Sequence, residues 1–149
     1  MKTMLMTGMG TIDAERAFTR AARRRRRAAI ARRLRGAPAD HGRLTVYDER
    51  KLRRSGSRPT PGIREIPLSK IDGTLEPSRA AQFDRCFLPA ERARTRWERV
   101  WLAEESGAVL PPISVVRIGD RYAVRDGHHR VSVAKARGAL TIDAAIDGA

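Results

Sequence analysis

Five consecutive residues, Asp126-Gly127-His128-His129-Arg130, constrain this chain more than any other feature because of what flanks them. Ahead of them, residues 113–118 (ISVVRI) and 122–124 (YAV) read as two short strands joined by a Gly119-Asp120 turn, that is, a hairpin. Behind them, Val131, Ala134 and Leu140 with Val133 and Ala136 give a helical spacing, and Gly138 stands where a helix stops. The five residues are therefore a strand-to-helix junction. The first backbone N–H groups of such a helix have no partner inside it, so the junction attracts an anion. Gly127 lets backbone come close to a ligand, Arg130 offers a planar fork of donors, and His128 and His129 add ring donors. Ser132 and Lys135 lie on the following turn. The chemistry implied is phosphate binding. The same string also suits a plain helix start, with Asp126 as the cap and both histidines facing solvent.

Around the junction the chain divides by charge. Its formal net charge is +14, and residues 1–60 hold 17 Lys and Arg against 5 Asp and Glu, whereas residues 61–149 hold 14 against 12. The boundary falls in SGSRPTPG, residues 55–62, a linker by composition. This predicts a basic helical arm with its linker over residues 1–60 and a folded domain over residues 61–149, large enough to bury an ordinary core. With 41% hydrophobic but only 5% aromatic residues, that core is expected to be aliphatic. A single cysteine, Cys86, rules out an internal disulfide framework and suits a reducing cytoplasm. No apolar run reaches the roughly 20 residues a bilayer span requires. The expectation is a soluble cytoplasmic protein.

In the arm, residues 11–35 lack Gly and Pro and read as a helix ended by Gly36-Ala37-Pro38, with Thr11 or Asp13 as its cap. Ala14, Ala17, Phe18, Ala21, Ala22, Ala28 and Ala29 share one face, which Arg25 interrupts. That face carries too little large apolar surface for a buried core helix. Arg23, Arg24, Arg25, Arg26 and Arg27 fit contact with nucleic-acid phosphate, which would be strongly salt-dependent. A solvated helix fits them too, and an acidic membrane or protein surface is a third reading. Residues 44–47 suggest a short strand and residues 48–54 a helical turn capped by Asp48.

In the domain, residues 63–68 (IREIPL) alternate as an opening strand, and residues 83–89 pack a loop onto the core through Phe83, Phe87 and Leu88. Residues 90–106 are a helix with Trp97 and Trp101 one turn apart, expected as core side chains rather than a base-stacking platform. Residues 140–146 form a last strand.

The string LPPISVV…GDRYAVRDGHHRVSVAKARG resembles the central motif of the ParB/sulfiredoxin superfamily: an apolar strand after proline, a second strand, then Gly-x-x-Arg or Gly-x-His-Arg opening a helix. The resemblance spans residues 63–146 and implies an α+β domain, a small mixed β-sheet with packed helices. In ParB proteins the corresponding segment holds the triphosphate of CTP, in sulfiredoxins it brings a reactive cysteine to ATP, and in free-serine kinases related residues bind ADP. It implies that Gly127, His128, His129 and Arg130 hold nucleotide phosphate. Residues 75–79 (LEPSR) stand where relatives carry a Pro-x-Arg-like element near the pocket, which adds Arg79. CTP, ATP or ADP with Mg²⁺ is the ligand expected, with Asp126 as a carboxylate contact.

The leading function read from the resemblance is a ParB-like, nucleotide-binding regulatory protein whose arginine-rich arm engages nucleic acid. Alternatives are a small phosphotransfer enzyme of the free-serine-kinase type, with Glu76 or Asp126 as its carboxylate, and direct DNA or RNA backbone binding. The chain also departs from the family. His128 replaces the sulfiredoxin cysteine, and Cys86 is too far upstream to serve, which argues against sulfinic-acid reduction. The helix-turn-helix and dimerising regions of ParB partition proteins are not expected after residue 146. Two imidazoles facing phosphate are expected to titrate near neutrality, so affinity would fall as pH rises.

Overall fold

The computed structural model describes residues 2–54 and 61–147. Its elements, in order, are α1 (Lys2–Leu34), β1 (Thr45–Val46), α2 (Glu49–Arg54), β2 (Gly62–Pro67), β3 (Ile71–Thr74), α3 (Arg94–Glu105), β4 (Ile113–Ile118), β5 (Arg121–Asp126), α4 (His128–Ala136) and β6 (Thr141–Asp147). Short 3-10 turns fill several connections, among them Pro77–Ala81 and Glu91–Ala93. The fold is α+β, as expected. Residues 55–60 of the expected linker lie outside the described residues.

Six strands form one mixed sheet in the order β1-β3-β5-β4-β6-β2. β4 and β5 are the antiparallel hairpin expected from the sequence, turning at Gly119 with φ 61°, and β2 pairs antiparallel with β6 at one edge. The pairs β1/β3, β3/β5 and β4/β6 are parallel. Because β5 occupies the middle of the sheet, the junction that follows it opens beside the core and not at an edge. Arg125 on β5 reaches Glu49 of α2 at 2.7 Å and Asp147 of β6 at 3.3 Å, which clips the outer segments to the central strand.

One apolar cluster joins the sheet to α1, α3 and α4 through Phe18, Trp97, Val115, Val124, Val131 and Val133, all essentially inaccessible. Trp97 is core, as expected, and Trp101 stacks on it at 5.6 Å while remaining partly exposed. Trp97 Nε1 donates to Ser132 Oγ (2.8 Å), and that hydroxyl donates to the Phe87 carbonyl, so α3, α4 and the 83–89 loop share one buried polar node.

Helix α1 corrects two expectations. It begins at Lys2 and not near residue 11, so Thr11 and Asp13 are interior positions and cap nothing. Its alanine face is also buried: Ala14, Ala17, Phe18, Ala21 and Ala22 are at most 5% exposed. Small side chains bring the helix axis close to its neighbour, so a single large residue, Phe18, fills the contact with α3 and meets Trp97 edge-on at 5.5 Å. Counting large apolar residues undervalued that face. Arg25, read as an interruption, is half-buried, and its charge favours the ionised form of the buried Asp84.

Candidate nucleotide-phosphate site at the start of α4

The junction is built around a glycine in the left-handed region. Gly127 has φ 109°, and a Cβ added there would come within 2.5 Å of Ile113 Cγ2, so both the turn and the neighbouring strand require glycine. Its missing side chain thus makes room for Ile113. Gly127 is the N-cap residue of α4 and makes no side-chain cap bond, so Asp126 does not cap the helix. The Val131 N–H is taken by the Gly127 carbonyl (3.0 Å), which leaves the N–H groups of His128, His129 and Arg130 without helical partners.

Beside that helix start is a cleft of about 200 Å³, whose lining includes Arg79, Arg96, Asp126, Gly127, His128, His129 and Arg130. Three arginines from three elements line it: Arg79 from the Pro77–Ala81 turn, Arg96 from α3 and Arg130 from α4. Arg79 Nη1 donates to Gln82 Oε1 (3.0 Å), which steadies it. Arg130 Nε is buried without a hydrogen-bond partner among the described residues, and the charge of Arg130 favours the ionised form of Glu104 on α3. The cleft has the donors an oxyanion needs. Arg96 lies on the exposed side of a helix and carries no local sequence signal for phosphate.

Neither histidine faces solvent, so the solvent-facing alternative is overturned. His128 is 3% exposed and His129 7%. His128 Nε2 is 2.6 Å from Thr74 Oγ1, and its ring stacks on Phe83; His129 meets Phe83 edge-on at 5.1 Å. Burial above all, then the Arg79 charge, lowers both imidazoles to about 4, with His129 adding to the effect at His128 and Arg96 at His129. The expected titration near neutrality is therefore corrected: both rings are neutral at pH 7, His128 as an internal strut and His129 as a cleft wall.

The remaining sequence candidates are dispersed. Asp126 is exposed at the cleft and is the carboxylate among its lining residues, whereas Glu76 does not line it and acts electrostatically on Arg125. Ser132 is consumed by the buried node, and Lys135 points its ammonium over the Phe87 ring at 5.3 Å, away from the α4 start. Arg23, Arg24, Arg26 and Arg27 are exposed along α1. Among the described residues no group of three His, Cys, Asp or Glu could hold a metal ion, so Mg²⁺ accompanying a nucleotide would rely on phosphate oxygens and Asp126. No helix among the described residues is long and apolar enough to cross a membrane.

Among solved structures, the chain is similar to sulfiredoxin from Arabidopsis thaliana. The match has 22% identity and a TM-score of 0.44, and covers 60% of this chain and 88% of that one. No family model matches, and no curated protein does.

Proposed function

We propose that the chain binds the phosphates of a nucleotide at the start of α4, as a ParB-like regulatory protein, and that its arginine-rich helix contacts nucleic acid. One observation carries the first half: Arg79, Arg96 and Arg130 line one cleft at a helix start whose first three N–H groups have no helical partner. The candidates are CTP, ATP and ADP with Mg²⁺. Buried neutral His129 supplies a polar wall without adding charge, and Asp126 offers a contact for the metal. The second half is supported by the exposed Arg23, Arg24, Arg26 and Arg27.

A phosphotransfer enzyme needs a carboxylate at the transferred group, and Asp126 is the candidate that lines the cleft. Isothermal titration of the protein and of Arg130→Ala with each nucleotide and Mg²⁺ tests the reading. Saturable binding that the variant loses supports it, and chromatography of the same mixtures reveals turnover. Absence of binding by all three nucleotides rejects both the regulatory and the phosphotransfer forms.

A further inference from the structure

A second basic hollow, of about 660 Å³, lies further along α4, between that helix, α1 and the 86–88 loop. Its rim is Arg20, Arg24 and Arg27 of α1 with Lys135 of α4, and among the described residues no acidic side chain lines it. Its floor is small and apolar, formed by Ala17, Ala21, Ala28, Phe87 and Leu88. The three arginines are exposed, but Lys135 is not free in water: burial lowers its pKa, and its ammonium lies over Phe87. A desolvated lysine facing a row of arginines on another element gains from a shared anion.

We propose that this groove seats the phosphate backbone of a single nucleic-acid strand, with Arg20, Arg24, Arg27 and Lys135 as its phosphate contacts. The inference rests on the reading of α1 as a nucleic-acid-binding helix and adds where on it the strand lies. Arg20, Arg24 and Arg27 fall at i, i+4 and i+7, one stripe extending about 10 Å along the helix axis. Such a row suits several successive phosphates better than one compact triphosphate. The alanine floor lets a strand approach the helix backbone, and Arg23 and Arg26 do not line the hollow.

The test is fluorescence anisotropy with a labelled single-stranded oligonucleotide across a salt series. One variant carries Arg20→Gln, Arg24→Gln, Arg27→Gln and Lys135→Gln; a charge-matched variant carries Arg16→Gln, Arg33→Gln, Arg35→Gln and Arg92→Gln, exposed residues outside the hollow; circular dichroism checks both for folding. The groove variant is expected to lose at least tenfold in affinity, and its log–log salt slope to shrink by about 2 to 3, since each single-strand phosphate contact contributes about 0.7. The charge-matched variant should lose far less, and Lys135→Gln alone should weaken binding although it leaves α1 unchanged. Equal losses in the two multiple variants would overturn the groove while leaving the basic-helix reading in place. No oligonucleotide binding by the parent protein would overturn both. Binding of CTP or ATP that survives Arg130→Ala but is lost in the groove variant would reassign the groove to free nucleotide and overturn the strand.

Discussion

His128 Nε2 lies 2.6 Å from Thr74 Oγ1 in the protein interior, a bond between residues 54 positions apart that fixes the first residue of α4 to the end of β3. The same hydroxyl accepts the Glu76 N–H (2.9 Å), so it also sets the turn that leads to Arg79. Thr74→Val keeps the shape but leaves a buried imidazole nitrogen and an amide without their partner. It should cost about 1–3 kcal/mol in urea unfolding, the usual penalty for stranding a buried polar group. Unchanged stability would mean that the ring finds another partner.

Acid should unfold the protein through these histidines. Their folded values, near 4, lie below the ordinary 6.5, so the unfolded chain binds the protons. The stability they contribute is fully present above pH 6.5 and is lost as pH falls from 6.5 towards 4. Urea midpoints should be level from pH 8 down to 7 and drop on further acidification, with a loss on the order of a few kcal/mol by pH 4.5. His128→Asn/His129→Gln should flatten that limb. For the nucleotide site, affinity should stay level between pH 7 and 8.5, where both rings are neutral. A steady fall over that range would show that phosphate protonates them.

Much of the hairpin and junction could be read in advance because the signals are local. Gly119 and Gly138 take positive φ where a turn and a helix end were expected, and the apolar pattern of β4 has one register that buries Val115. What could not be read depends on distant partners. Arg96 joins Arg79 and Arg130 only because α3 packs on α4. His128 looked like a phosphate ligand because nothing near it in sequence announces Thr74. The early start of α1 was hidden by Gly8 and Gly10, poor helix formers whose cost the long helix absorbs.

Arg96 separates a designed anion cleft from a lone helix terminus. It is exposed on α3, and its charge helps keep His129 neutral. Arg96→Ala should leave the unfolding midpoint within experimental error and weaken nucleotide binding about tenfold, the lower end of what a hydrogen bond to a charged group contributes. Isothermal titration at pH 7.5 reads it directly. An unchanged affinity would confine the phosphate to Arg79, Arg130 and the helix start.

Phe18 decides whether the arginine helix is an arm or part of the body. Its ring is fully buried, edge-on to Trp97 at 5.5 Å, with the Arg94 guanidinium 4.4 Å above it. If α1 folds and unfolds with the sheet, Phe18→Ala opens a cavity against Trp97 and should cost about 3–5 kcal/mol, seen as a single cooperative urea transition moved to lower midpoint. If α1 docks only loosely, the midpoint stays put while helical circular dichroism is lost at low urea. The distinction bears on binding: a helix locked by Phe18 presents Arg20, Arg24 and Arg27 in fixed register with Lys135, so a strand meets a preformed row and loses no affinity to ordering the helix.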